Sequence, residues 1–200
     1  MRRVNGTLIG LNVAVFVLQV LYPLLLVPFA LWPLGAQLHA GLPGHFEPWQ
    51  LLTYAFLHGG LAHLSLNMFA LWMFGRDCER ALGARRYLTL YFAAVLTAAA
   101  TQLAVGALTR SAHPTIGASG GVFGVLLAFA VLYPERRIML LFPPIPLPAW
   151  LFVTLYGLIE LTNGVIGTGA GVAHFAHLGG MLGGWLVIQY RRRGFPFNRR

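Results

Sequence analysis

Inside the apolar stretches of this 200-residue chain, three places carry polar side chains that together could do acyl-transfer chemistry: His63 with Asn67, Ser119, and His177. Ser119 lies in Gly117-Ala118-Ser119-Gly120-Gly121, at the start of an apolar run. A hydroxyl there needs a base, and imidazole is the side chain best suited to that task near neutral pH. His177 lies in Ala176-His177-Leu178-Gly179-Gly180, with Gly180 and Gly184 at a small-xxx-small spacing that lets helix backbones approach closely. Gly120, Gly121 and Gly124 offer a matching surface beside Ser119, so packing of these two segments would bring imidazole and hydroxyl together. His63 and Asn67 are i and i+4 on a third segment and project from one helix face. Two such donors, with the free N–H groups of a first helical turn, suit stabilisation of a tetrahedral oxyanion.

The elements that must hold these groups are membrane helices. The chain is 58% hydrophobic and 10% charged, whereas soluble domains are about a quarter charged. Six apolar segments are predicted as helices, at about 6–26, 61–75, 87–108, 117–133, 147–165 and 171–190, within one integral-membrane domain spanning 1–200. Met1-Arg2-Arg3 before the first run resembles the start of a signal peptide. No small-residue cleavage site closes that run, so it is expected to stay as the first span.

Every basic residue apart from histidine is Arg, and the formal net charge is +9. Arg2 and Arg3, then Arg76, Arg80, Arg85 and Arg86, then Arg136 and Arg137, and finally Arg191, Arg192, Arg193, Arg199 and Arg200 all fall on one side of a six-span serpentine. Only Arg110 falls on the other. The positive-inside rule puts both termini in the cytoplasm and explains the charge without nucleic acid. The 30–60 connection lies on the outer side. Trp32, Leu38, Phe46, Trp49, Leu51, Tyr54 and Phe56 make it a membrane-embedded loop rather than a polar one.

This topology supplies a test of the site. Segments two, four and six run in the same direction. His63, Ser119 and His177 stand thirteen, sixteen and fourteen residues before Arg76, Glu135 and Arg191. At ~1.5 Å per residue all three lie about 20–24 Å from the cytoplasmic edge. One shared depth on three helices is the pattern of a site. The carboxylates are Glu47, Asp77, Glu79, Glu135 and Glu160. Glu160 alone is in a span at comparable depth, and it is not expected to join the machinery, so a Ser–His dyad is predicted. His177 must be neutral to take a proton, and activity is expected to fall at acid pH.

The segments Glu47-Pro48-Trp49-Gln50, His58 to Asn67 (HGGLAHLSLN), Glu79-Arg80-Ala81-Leu82-Gly83, Gly117-Ala118-Ser119-Gly120 and Ala176 to Gly184 (AHLGGMLGG), in this order, resemble the rhomboid intramembrane proteases. The resemblance implies a six-helix core and cleavage of transmembrane protein substrates near their outer ends, in the lipid bilayer and without metal or cofactor. A bacterial inner membrane is the expected location. It implies that Ser119 is the nucleophile, His177 its general base, and His63, Asn67 and the Ser119 N–H the oxyanion hole. His58 matches a supporting histidine, and Glu79 with Arg80 a structural pair in a cytoplasmic loop. Gly117, Gly120, Phe123, Gly180 and Gly184 are the supporting positions. Gln50 stands where some members have Arg, and Phe123 where some have Tyr stacked on the base; stacking survives the second change. An inactive rhomboid-like protein that binds membrane clients is the alternative.

Other mechanisms fare worse. There is no His-Glu-x-x-His, and no carboxylate is spaced along the chain to complete a zinc site. Asp77 is the sole Asp, which excludes an aspartyl dyad. Cys78 is the sole cysteine, expected in a charged loop with a structural role or none. A transporter would carry polar groups across the whole membrane, whereas these stop in its outer part.

Overall fold

A computed structural model describes residues 4–34, 44–140, 144–167 and 173–192. Leu38, Arg2, Arg3, Arg193, Arg199 and Arg200 lie outside the described residues, as do the first two residues of the sixth predicted segment. Helices cover all six apolar segments. The first, α1, is Val4–Leu21, followed by a 3₁₀ turn at Pro23–Phe29. A short α2, Gln50–Thr53, and a 3₁₀ turn at Tyr54–Phe56 lie in the long connection. Then come α3 (Leu61–Ala70), α4 (Arg76–Leu82), α5 (Ala84–Thr109), α6 (Ser119–Leu132), α7 (Ala149–Ile166) and α8 (His174–Arg192). A small antiparallel pair, β1 (Arg137–Met139) with β2 (Pro146–Pro148), joins α6 to α7. Among the described residues, α1, α5 and α7 are long and apolar enough to cross a membrane, whereas α6 is apolar but only 14 residues long.

Polarity is distributed inside out. The buried residues of α1 are Asn5, Leu8 and Asn12, while Leu11, Val17, Leu18, Val20 and Leu21 are exposed. Helix α7 buries Ala149, Val153 and Glu160 and exposes Leu155, Leu158, Ile159, Leu161, Val165 and Ile166. Such surfaces are stable in hydrocarbon, where apolar side chains need no covering and polar ones need partners.

Segment two is longer than expected. It does not stop at Gly75 but passes through a π-helical stretch, Leu71–Gly75, directly into α4. The π stretch leaves the Leu71 carbonyl to accept a hydrogen bond from Asn5 Nδ2 (2.8 Å), and the Tyr87 hydroxyl donates to Asn5 Oδ1 (2.6 Å). Two corrections follow. Cys78 is on a helix and fully buried, with its thiol directed at the Val125 carbonyl (3.6 Å). Glu79 and Arg80 do not pair with one another. Glu79 accepts the Val4 and Asn5 N–H groups (2.8 and 3.0 Å) and so caps α1. Arg80 and Arg136 both hold Asp77 (3.0 and 2.7 Å). The two acidic groups of this expected loop, Asp77 and Glu79, thus have partners that let them stay helical.

Helices α5, α6 and α8 pack most closely, and glycine sets the distance. A Cβ on Gly180 would strike the Gly120 carbonyl, and one on Gly184 would lie 2.5 Å from the Gly124 carbonyl oxygen. Gly179 and Gly183, one position back, face Thr101 and Thr97 of α5. Helix α8 therefore carries two adjacent glycine ridges, one for each neighbour. Gly121, expected to face α8, instead faces Tyr91 of α5, where a Cβ would lie 2.6 Å from the ring.

The long connection is pinned by Gln50. Its side chain is buried, accepts the Trp32 N–H (3.1 Å) and donates to the Pro28 and His45 carbonyls (3.0 Å each). Leu31 and Thr115 exchange backbone hydrogen bonds (3.0 and 2.9 Å), tying this connection to the loop before α6. Gln50, at the position where some rhomboids have Arg, thus anchors this connection itself.

Candidate active site

Ser119 is the first residue of α6. Gly117 precedes it with φ +132°, a conformation that disfavours any residue with a Cβ, and its N–H donates to the Tyr54 carbonyl (3.0 Å). This turn delivers the hydroxyl to α8. His177, in the first turns of α8, places Nε2 2.9 Å from Ser119 Oγ. The contact has the length of a full hydrogen bond, and it depends on the glycine seam one turn below.

Phe123, one turn after Ser119, stacks on the His177 ring with centroids 4.2 Å apart and planes 5° from parallel. Tyr156 of α7 also packs on Phe123 at 5.1 Å, and Phe152 packs on Tyr156 at 5.8 Å. The ring plane of His177 is therefore fixed by an aromatic series reaching across α7.

His63 faces Gly117: a Cβ there would lie 2.9 Å from His63 Nε2 and 3.6 Å from Ser119 Oγ. The Gly59 N–H donates to His63 Nδ1 (3.3 Å), which leaves the ring proton on Nε2, directed toward the serine turn. Asn67, one turn further along, is buried and donates from Nδ2 to the His63 carbonyl (2.9 Å), with a second amide N–H remaining. His58 packs edge-on to His63 at 5.1 Å. Its main chain is held by Gln19 (3.0 and 2.7 Å), and neither ring nitrogen has a hydrogen-bond partner among the described residues. Burial, with the imidazole of His63 alongside, pushes His58 down to about 4.

Behind the histidine the structure departs from the expected dyad. Glu160 Oε2 lies 2.8 Å from His177 Nδ1 and also 2.8 Å from His174 Nδ1. The carboxylate is buried on the one inward stripe of α7. The sequence does mark it, as a lone acid in a span at the depth of the site, but its partners lie across a helix crossing. His174, which precedes His177 by three residues and so shares its helix face, is not among the expected site residues. One donor atom from each of Glu160, His174 and His177 falls within 4.8 Å of the others. Zinc accepts such a His₂Glu set, so a carboxylate near histidines does exist in space though not in sequence spacing. Its atoms are already joined by hydrogen bonds.

A serine hydroxyl against an oriented imidazole, with N–H donors on the opposite side of the serine turn, can perform acyl transfer. The Rhomboid domain model matches residues 45–194. The chain belongs to the rhomboid family. It is 34% identical over 149 residues to "Rhomboid protein 1, mitochondrial" of Saccharomyces cerevisiae, covering 70% of this chain and 41% of that protein. It is 33% identical over 146 residues to "Rhomboid protease GluP" of Bacillus subtilis, covering 70% and 25%. With the human "Presenilin-associated rhomboid-like protein, mitochondrial" the identity is 31% over 144 residues, covering 70% and 37%. The matched part thus spans between 25% and 41% of these relatives. As a rhomboid with several apolar helices, the chain is an integral membrane protein.

Proposed function

We propose that this rhomboid is an intramembrane serine endopeptidase that cleaves transmembrane segments of membrane proteins near their outer ends. His177 Nε2 takes the Ser119 proton as Oγ attacks the scissile carbonyl carbon. The negative charge that develops on the carbonyl oxygen is met by the Ser119 N–H, His63 Nε2–H and the Asn67 amide. His177 then returns the proton to the leaving amine as the C–N bond breaks, and water releases the acyl group by the same route. Six helices cross the bilayer as one domain over 1–200, with the connection before α3 embedded on the outer side. Both termini face the cytoplasm of a bacterial inner membrane. No metal or cofactor takes part.

The observation that carries the reading is the 2.9 Å contact between Ser119 Oγ and His177 Nε2 beneath the stacked ring of Phe123. The test is cleavage of a generic transmembrane substrate in proteoliposomes by wild type, Ser119→Ala and His177→Ala. Wild type is expected to cleave and both variants to lose at least about 10³-fold. Full activity in either variant refutes the assignment. A wild type that binds the substrate without cutting it favours the client-binding alternative.

A further inference from the structure

We infer that Glu160 is a positioning residue of this site, extending the Ser119–His177 pair to a relay whose carboxylate is shared with His174. The inference rests on the protease reading above. It starts from placement. Helix α7 turns mainly apolar side chains outward and buries only Ala149, Val153 and Glu160 along its inward stripe. An ionised carboxylate there is costly in a membrane helix unless it is paired, and a single oxygen meets two imidazole nitrogens at 2.8 Å each.

The proton bookkeeping follows from donor and acceptor types. An ionised carboxylate only accepts, so Nδ1 of each histidine must carry the proton. A neutral imidazole with its proton on Nδ1 presents a lone pair at Nε2. For His177 that lone pair points at Ser119 Oγ, 2.9 Å away. The opposite tautomer would donate to Oγ and have no capacity to take its proton. Glu160 is the one hydrogen-bond partner of His177 Nδ1 among the described residues.

Phe123 and Glu160 impose different constraints. The stacked phenyl fixes the plane of the imidazole but is indifferent to rotation within that plane and to the position of the proton. The carboxylate fixes both. His174 holds the same Oε2 from a ring nearly perpendicular to that of His177, at 88°, and so limits the swing of Glu160. During attack the Ser119 proton moves to His177 Nε2 as the Oγ–C bond forms, and the Nδ1 proton stays on the ring. The resulting imidazolium then faces a carboxylate across a 2.8 Å contact in a water-poor site, where opposite charges attract strongly. Glu160 is not protonated at any step.

The experiment compares wild type, Ser119→Ala, Glu160→Gln and Glu160→Leu in proteoliposomes. It reads kcat and KM on a transmembrane substrate, the rate of Ser119 labelling by a fluorophosphonate, and the thermal midpoint. Glu160→Leu is expected to lower kcat and the labelling rate together by about 10²-fold, less than a full triad carboxylate because Phe123 still holds the ring plane. KM should stay within threefold. Glu160→Gln keeps a neutral acceptor for the Nδ1 proton and should fall by about tenfold, giving the order Glu, Gln, Leu. The thermal midpoint should not follow that order, because replacing a buried ion with an apolar group of similar size is often neutral or stabilising. If Leu does not fold, the near-isosteric Gln decides alone. A Glu160→Gln enzyme with wild-type kcat and labelling overturns the inference, as does a change confined to KM or losses that track the thermal midpoint. A wild type that does not cleave, or an active Ser119→Ala, overturns the protease reading instead.

Discussion

Replacing Gly180 by Ala tests whether the glycine seam sets the distance between Ser119 and His177. A Cβ at this position would sit 2.8 Å from the Gly120 carbonyl carbon and 3.0 Å from its Cα, with the carbonyl oxygen closer still. Carbon atoms ordinarily approach to about 3.5 Å, so α8 and α6 must separate by at least about 0.7 Å. Gly120 follows Ser119 and Gly180 is three residues from His177, so little chain is available to absorb the shift. Added to the 2.9 Å contact, it opens Oγ···Nε2 to about 3.6 Å, beyond hydrogen-bond range. The expected loss is about 10²-fold in kcat, with a destabilisation of about 1–3 kcal/mol. Cleavage and fluorophosphonate labelling in proteoliposomes read the first, and thermal unfolding in detergent reads the second. Gly157→Ala is the control, because its Cβ would meet only the Met181 side chain at 3.5 and 3.8 Å, an ordinary contact. A Gly180→Ala enzyme within twofold of wild type refutes the claim that this seam spaces the site.

Three further outcomes are expected. Gln50→Ala strands the Trp32 N–H and the Pro28 and His45 carbonyls and should cost about 2–4 kcal/mol; an unchanged thermal midpoint would mean that the connection is anchored elsewhere. His58 is held neutral in the fold with its value at about 4, whereas the unfolded chain binds a proton below about 6.5. Stability should therefore fall as pH drops from 6.5 towards 4, and less steeply in His58→Phe; equal slopes in the two proteins would remove His58 as the source. A chelator should leave cleavage unchanged, while a loss restored by zinc would show that Glu160, His174 and His177 hold an ion rather than shared protons.

What could be read in advance depended on whether a residue's meaning was local. The contact between Ser119 and His177 was legible because polar groups in apolar runs are rare, and because their flanking glycines announce close helix contact. The stacking of Phe123 on His177 was legible only through the resemblance to the rhomboid proteases, which implied an aromatic ring at that position. Arg76-Asp77-Cys78-Glu79-Arg80 was misread as a loop because its neutralising partners are remote. Asp77 is answered by Arg136, and Glu79 by the start of α1. The carboxylate behind His177 was noticed at the right depth but set aside for the same reason. Glu160 and His177 lie seventeen residues apart on two helices, and only the crossing of α7 over α8 brings them together.

The order of the helices along the chain also has a consequence for biogenesis. Ser119 precedes His177 by 58 residues, and α8 is the wedge that fits against both α5 and α6. At about 5–20 residues per second, a ribosome finishes the serine roughly 3–12 s before the histidine. Throughout that interval a nascent chain in the insertion machinery, surrounded by other proteins' unassembled spans, carries a hydroxyl with no base. On the protease reading proposed above, the glycine ridges of α8 act as a safety catch, because Ser119 meets its base only once this later helix is in place.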